Sequence, residues 1–264
     1  MSYRKQVDKK LLSREKRYET ERLMRDKRSE DYEVLEEVFD RSTLMNIYHF
    51  LNEGTIDEIH GAVGAGKESK LYWGKDKNGN DIAIKIFLMV SAEFKRGMIP
   101  YIEGDRRFTK VKKDTRSLVF AWTQKEFTNL KQAYAARVNV PKPIAVRQNV
   151  LIMEFIGENG VSAPLLRETQ LKNPERVYEQ LLTSVKKMYQ KAKLIHGDLS
   201  EYNVMIWKGK PIIFDVSQAV PVDHPMADQF LRRDLNNINY YFKRLGVEVY
   251  DAEETYRRIT GGRT

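Results

Sequence analysis

The apolar period of the chain changes several times, and each change marks an element. Residues 1–30 are polar, with mixed charges and few apolar positions, a pattern that predicts a frayed helix or disorder. From residue 31, Val34, Leu35, Val38 and Phe39 recur at helical spacing. Asp40 or Ser42 can cap a second helix carrying Leu44, Ile47, Tyr48 and Leu51, and Gly54 ends it. From Ile56 the period becomes two. IDEIHGAVGAGKESKLYWG reads as strand, glycine turn, strand. DKNGN at 76–80 is a turn containing Asn-Gly, and DIAIKIFLMV is a buried strand, so the three strands predict an antiparallel meander. Residues 91–117 carry charges, two glycines and one proline without a clear period, and read as a long mobile insertion. LVFAWTQKEFTNLKQAYAAR at 118–137 is helical, and VNVPKPIAVRQNVLIMEFIG supplies two strands. Pro174 opens a long helix in which Val177, Leu181, Leu182, Val185 and Tyr189 share a face. A loop HGDLSEYN, the strands VMIW and PIIFD, a helix from about Pro225 to Leu245 and a short helix near 251–259 complete the pattern.

Composition narrows the class. The 264 residues are 41% hydrophobic, enough for a substantial core in one large domain or two lobes. No stretch approaches a membrane span, and the charged N-terminus lacks the apolar region of a secretory signal. The absence of cysteine excludes disulfides and thiolate metal sites and fits a cytoplasmic protein. The net charge is +9, and residues 1–30 hold 11 Lys and Arg against 6 Asp and Glu. A basic chain favours polyanionic partners such as RNA or a ribonucleoprotein particle; the alternative is a solubilising tail.

The densest chemistry lies in His196-Gly197-Asp198-Leu199-Ser200-Glu201-Tyr202-Asn203, followed by Ile212-Ile213-Phe214-Asp215. Asp198 and Asn203 stand five residues apart, and Asp215 ends an apolar run. In kinases this spacing builds a phosphoryl-transfer centre: the first Asp orients or deprotonates a hydroxyl, and the Asn and second Asp hold a divalent cation. Both ligands are hard oxygen donors suited to Mg²⁺ or Mn²⁺. His196 reads as a structural hydrogen-bonding residue, and His49, His60 and His224 carry no assignment.

Upstream, Gly61 to Lys67 fits G-x-x-x-x-G-K, but Glu68 stands where a Walker loop needs Ser or Thr, and strands flank it instead of a helix. The preferred reading is a glycine turn over phosphates at Gly64, Gly66, Lys67, Glu68 and Ser69, where missing Cβ atoms let backbone N–H groups approach an anion; the alternative is an ordinary hairpin turn. Lys85 in IAIK is costly to bury without an anion, so it pairs with nucleotide phosphates and with a helix carboxylate, Glu126, unless it snorkels to solvent. LIMEFIG has the form of an interlobe hinge, with Met153 bordering a base pocket and the backbone of Glu154 and Ile156 meeting adenine; a simple buried strand fits the same residues.

Together these segments resemble the RIO family of atypical serine protein kinases. The carriers are GKES, IAIK, EGDRRF, FAWTQKEFTNL, LIMEFIG, HGDLSEYN and IIFDVSQA, and EVFDRSTLMNIYHFLNEG resembles the entry segment of the first RIO subfamily. The form GAVGAGKESKLY departs from the STGKEANVY of that subfamily. The resemblance implies an α+β, two-lobed protein-kinase-like fold with an antiparallel N-lobe sheet plus helix and a trimmed, mainly helical C-lobe. It places a basic helical extension at 1–53, the N-lobe at 54–157 with its insertion at 91–117, and the C-lobe at 158–264. It further implies ATP with Mg²⁺ or Mn²⁺, and phosphorylation of protein serine, including of the chain itself. A role in maturing the small ribosomal subunit, and a monomer acting on a pre-ribosomal RNA–protein particle, follow from the same resemblance. So does an ATPase-switch mode in which phosphate passes to Asp215. The implied catalytic set is Asp198, Lys85 and Asp215, with Asn203 and Asp215 on the metal. Two alternatives remain: a small-molecule kinase of the aminoglycoside or choline type, which also uses His-Gly-Asp but needs more than the 49 residues after Asp215, and a non-catalytic ribonucleoprotein-binding module.

Overall fold

In the computed structural model the described residues are 38–66, 68–89, 92–112 and 114–262. The expected elements within 1–37, including the helical spacing of Val34 and Leu35, lie outside them.

Helix α1 (Arg41–Asn52) starts at Asp40, whose carboxylate accepts the Thr43 amide at 3.0 Å, the capping geometry that Asp favours. Its apolar face carries Ile47, Phe50 and Leu51. Strands β1 (Glu58–Ala65), β2 (Ser69–Lys75) and β3 (Asp81–Phe87) form the meander that the alternation announces. Strands β4 (Pro143–Arg147) and β5 (Val150–Glu154) complete an antiparallel sheet of order β1-β2-β3-β5-β4.

Register decides what faces the cleft. Side chains alternate along a strand, so Ile82, Ile84 and Ile86 of β3 share one face. With Tyr72, Val150 and Ile152 they pack against α1 in a core of their own. Lys85 points to the other face, opposite Leu71 on β2 and Leu151 on β5. Ala83 lies between Trp73 and Met153 on that same face. Strand β3 is thus buried on both sides, which explains why its sequence is a continuous apolar run broken only by the lysine.

Residues 92–112 differ from the expected mobile loop. They form helix α2 (Ala92–Ile102), with Pro100 inside it, and a 3-10 turn at Arg106–Phe108. Gly97 and Pro100 obscure the period, yet Met98, Tyr101 and Phe108 are buried in the main core. Gly104 makes the return possible. Its φ of +90° is unfavourable for a side chain, and an added Cβ would lie 2.5 Å from Pro225 Cδ.

Helix α3 (Thr115–Ala135) packs against the cleft side of the sheet through Trp122 and Leu130, with Phe87 and Leu151 in the same core. Strands β6 (Gly157–Glu158) and β7 (Val161–Ser162) form a short hairpin after the sheet. Helix α4 (Pro174–Lys187) opens as expected, with Pro174 in the first turn and Asn173 accepting the Arg176 amide at 2.8 Å. It runs into a π turn at Met188–Ala192. Two further ladders follow, β8 (Leu194–Ile195) with β11 (Val220–Pro221) and β9 (Val204–Trp207) with β10 (Lys210–Ile213). Helices α5 (Ala227–Arg244) and α6 (Ala252–Thr260) close the chain.

Gly104→Ala should destabilise the chain by about 2 kcal/mol, from backbone strain and the Pro225 contact, and lower Tm by about 5 °C. Thermal unfolding reads this directly; an unchanged Tm would show that α2 does not depend on its turn onto Pro225.

Candidate active site

A buried lysine sits at the centre of the cleft. Lys85 is 8% exposed and its Nζ donates to Glu126 Oε1 at 2.8 Å and to Asp215 Oδ1 at 2.9 Å. Burial disfavours its charge, but the two carboxylates outweigh that effect and hold the ammonium above its ordinary range. Glu126 occupies the apolar stripe of α3 and is 1% exposed. Burial raises its carboxyl to about 7, with Asp215 adding to the rise and Lys85 opposing it. Its Oε2 has no hydrogen-bond partner among the described residues.

Asp215 joins the strand side of the site to the loop side. Burial alone would raise its carboxyl; Lys85 and the Ser217 hydroxyl, 2.9 Å from Oδ1, hold it below the ordinary carboxylate range. Both hydrogen bonds fall on Oδ1, which leaves Oδ2 without a hydrogen bond among the described residues on a side chain that is 43% accessible. Its φ is +55°, the left-handed region that few residues other than glycine adopt, Asn and Asp being the usual exceptions. Asn203 donates from Nδ2 to the Asp198 carbonyl at 2.6 Å, which leaves its amide oxygen available as a cation ligand. Among the described residues no group of three His, Asp or Glu side chains could hold an ion. A cation held by Asn203 and Asp215 would therefore complete its shell from water and ligand phosphates, the habit of Mg²⁺.

Asp198 is half-buried, and burial raises its carboxyl, assisted by Asp215 and opposed by His196 and Arg233. His196 is structural, as its sequence setting implies. Burial lowers its imidazole, Nδ1 lies 3.3 Å from the Asp198 amide, and Nε2 lies 3.1 Å from the Phe214 carbonyl. Those contacts fit a neutral ring that accepts at Nδ1 and donates at Nε2.

The backbone carrying Asp198 is held by residues that sequence reasoning missed. Asp234 of α5 accepts the amides of Gly197 and Leu199, each at 2.8 Å, and Arg233 donates to the Gly197 carbonyl. Asn237 reaches the Leu199 carbonyl at 3.1 Å. Tyr101 of α2 stacks on Phe230, with centroids 5.0 Å apart, and receives Arg233 at 3.1 Å. Burial raises the Asp234 carboxyl to about 7 despite its two amide donors. Its signal in the sequence is a carboxylate on the apolar stripe Phe230, Leu231, Leu235, Ile238, Phe242.

A second missed network runs from the insertion to the Asp215 loop. Arg107 grips both oxygens of Asp105 and donates to Asn129 Oδ1 at 2.7 Å. Asn129 Nδ2 donates to the carbonyls of Val216 and Ala219, at 2.8 and 3.0 Å. Lys125 donates to the Ser217 carbonyl at 2.6 Å and lies over the Trp122 ring. Burial lowers its amine far below the usual lysine range.

The glycine turn is a strand-to-strand turn, with the Gly66 amide bonded to the Ser69 carbonyl at 2.9 Å. Neither Gly64 nor Gly66 has positive φ, and a Cβ at either meets nothing closer than 3.6 Å. Crowding within the chain thus does not demand glycine there. Glu68 lies near this end of the cleft. Burial raises its carboxyl, followed by Asp215 and Asp198, while Lys85 lowers it. Lys67 is outside the described residues. Met153 pairs with Ala83 on the cleft face; the Glu154 carboxylate accepts the Lys142 amide at 3.0 Å, and the Ile156 carbonyl accepts the Ala163 amide at 2.8 Å.

This two-lobed, kinase-like arrangement has known relatives. Residues 70–255 match the family profile described as RIO domain. The RIO-type serine/threonine-protein kinase Rio1 of Haloferax volcanii is 40% identical over 238 residues, covering 90% of this chain and 81% of that protein. Rio1 of Methanocaldococcus jannaschii is 36% identical, covering 96% and 87%. Human RIO1 is 38% identical over 87% of this chain but only 41% of its own length. A crystal structure of the Rio2 kinase–ADP/Mg²⁺–phosphoaspartate complex from Chaetomium thermophilum superposes with a TM-score of 0.61 over 81% of this chain and 65% of that one, at 22% identity, a likeness of fold. The chain belongs to the RIO family of atypical protein kinases.

Asp234→Ala leaves two buried amides without a partner, at about 1–3 kcal/mol each. Hydrogen exchange should then show protection lost first at Gly197 and Leu199; unchanged protection at those amides would contradict this anchoring.

Proposed function

We propose that the chain is a RIO-type serine/threonine kinase that uses ATP with a divalent cation, and that its cleft transfers the γ-phosphoryl group. The observation that carries this reading is the buried Lys85 ammonium, shared between Glu126 and Asp215 beside Asp198. In this reading Lys85 meets the nucleotide's phosphates. The turn at Gly64, Gly66, Lys67, Glu68 and Ser69 covers them with backbone N–H groups, which accounts for two glycines that packing does not require. Met153 and the backbone of Glu154 and Ile156 border the adenine. Asn203 and Asp215 hold Mg²⁺ or Mn²⁺, which when bound neutralises phosphate charge. A serine hydroxyl oxygen bonds to the γ-phosphorus, the bond to the β-phosphate oxygen breaks, ADP leaves, and Asp198 orients the hydroxyl and takes its proton.

A second mode rests on Asp215. Its side chain is 43% accessible with both hydrogen bonds on Oδ1, and the Rio2 neighbour is a phosphoaspartate complex. Attack by a carboxylate oxygen of Asp215 on the γ-phosphorus gives an acyl phosphate and ADP; water then releases phosphate and restores the carboxylate. That cycle suits an ATPase switch. A role in small-subunit maturation, in the cytoplasm, is supported by the family resemblance and the basic charge. The Rio1 relatives favour protein over small-molecule substrates.

Asp198→Ala should lower phosphoryl transfer by about 10³-fold with nucleotide affinity retained. Asp215→Ala should also weaken Mg-ATP binding, and unchanged turnover in both variants would refute the assignment. Incubation with γ-labelled ATP separates the modes, since phosphoserine resists hot acid and hydroxylamine whereas an acyl phosphate is cleaved by both.

The pH profile has a defined sign. Glu126 must be charged to complement Lys85, so the rate should fall as pH drops through about 7. Asp234 contributes to the same limb. Glu126→Gln should lower the rate and flatten this limb; a limb of unchanged depth would remove Glu126 from the profile.

A further inference from the structure

Helix α4 and its π turn present Arg176, Gln180, Thr183, Lys187 and Lys191 at spacings of three and four residues, which places them along one stripe. Three hollows follow that stripe. The first, of about 400 Å³, is lined by Lys172, Arg176, Lys208 and Lys210, with Gln170 and Asn173 beside them. The second, of about 380 Å³, shares Arg176, Gln180 and Lys210 with the first and adds Asn139 and Lys187. The third, of about 490 Å³, holds Arg137 and Lys191. Lys187 joins the last two by donating to the Arg137 carbonyl at 3.2 Å. None of these residues belongs to the cleft described above.

The charge is one-sided. Seven cations line the hollows against one carboxylate, Glu179, which accepts the Tyr250 hydroxyl at 2.7 Å. Among the described residues none of the seven makes an ion pair. The α5–α6 surface behaves differently: there Arg232 is paired with Asp228 and Glu253, and Arg258 with Glu254. A solubilising face usually mixes signs in that way; unpaired cations concentrated in connected hollows fit a polyanion. From Arg176 to Lys191 the stripe is about 22 Å long at about 1.5 Å per residue. One strand of a duplex presents about six phosphates over that length. Amide and hydroxyl side chains alternate with the cations, namely Gln170, Asn173, Gln180 and Thr183, and these can exchange hydrogen bonds with ribose 2′-hydroxyls.

We propose that this track along α4, from Lys172 and the β9–β10 turn to Lys191, binds the phosphate backbone of RNA. The site is independent of phosphoryl transfer and would hold an RNA partner on a surface separate from the cleft.

The test uses the full chain and a short labelled RNA, with anisotropy read across a KCl series. The track variant combines Lys172→Glu, Arg176→Glu, Lys208→Glu and Lys210→Glu. A charge-matched control combines Lys77→Glu, Arg147→Glu, Lys243→Glu and Arg244→Glu. The track variant should lose about tenfold or more in affinity, with the slope of log K against log salt shallower by about 3 to 4, four contacts at about 0.7 each on a single strand and about 0.9 on a duplex. The control should lose far less, and the track variant should autophosphorylate at the unaltered rate. Equal losses in both variants, or no loss in the track variant, would overturn the proposal. DNA of the same sequence losing as much as RNA would overturn the assignment to RNA. Retained RNA affinity with loss of a polyglutamate peptide would assign the track to an acidic protein instead.

Discussion

A lysine ammonium taken out of water stays charged only where nearby carboxylates outweigh the cost of desolvation. Lys85 satisfies that condition with two of them, and they come from distant parts of the chain: Glu126 on α3 and Asp215 in the loop after β10. One side chain thereby fixes the sheet, the long helix and the loop relative to one another. The neighbouring strands make the arrangement rigid, because β3 is paired on both edges and covered on both faces. Removing Lys85 would leave two carboxylates without their shared cation, so the lysine is the member this arrangement can least lose.

Around this centre the chain fastens its loops from behind. The segment carrying Asp198 is anchored through backbone atoms by Arg233, Asp234 and Asn237 of one helix, which fixes the main chain that bears the carboxylate. The segment after Asp215 is held through three carbonyls by Lys125 and Asn129. Both sets of anchors touch the insertion, one through Tyr101 and the other through Arg107. The insertion therefore works as a brace between the two loops.

The sequence makes some of this legible. Lys85 in an apolar strand and Glu126 on a helix face each demand an opposite charge, and the nearest solution is each other. The meander, the long helices and the helix start at Pro174 follow from period and from the preference of proline for the first turn. The insertion was not legible, because Gly97 and Pro100 disrupt the window and its burial depends on Phe230 and Pro225, more than a hundred residues later. Asp234, Arg233, Lys125 and Asn129 escaped notice for a related reason. Periodicity assigns a residue to a face but does not name what that face meets. Their one local mark is polarity within an otherwise apolar stripe, which here indicates a partner made of backbone.

The left-handed backbone at Asp215 governs what any replacement there measures. A β-carbon costs about 1 kcal/mol in this conformation, and Asn and Asp bear it best because a short polar side chain can compensate locally. Alanine at 215 would remove the charge and also lose that local compensation, combining an electronic change with a conformational one. Asparagine keeps shape and chirality while deleting only the negative charge, and glycine would relax the main chain. Those three replacements form a natural series for separating charge from geometry at the residue where the two coincide.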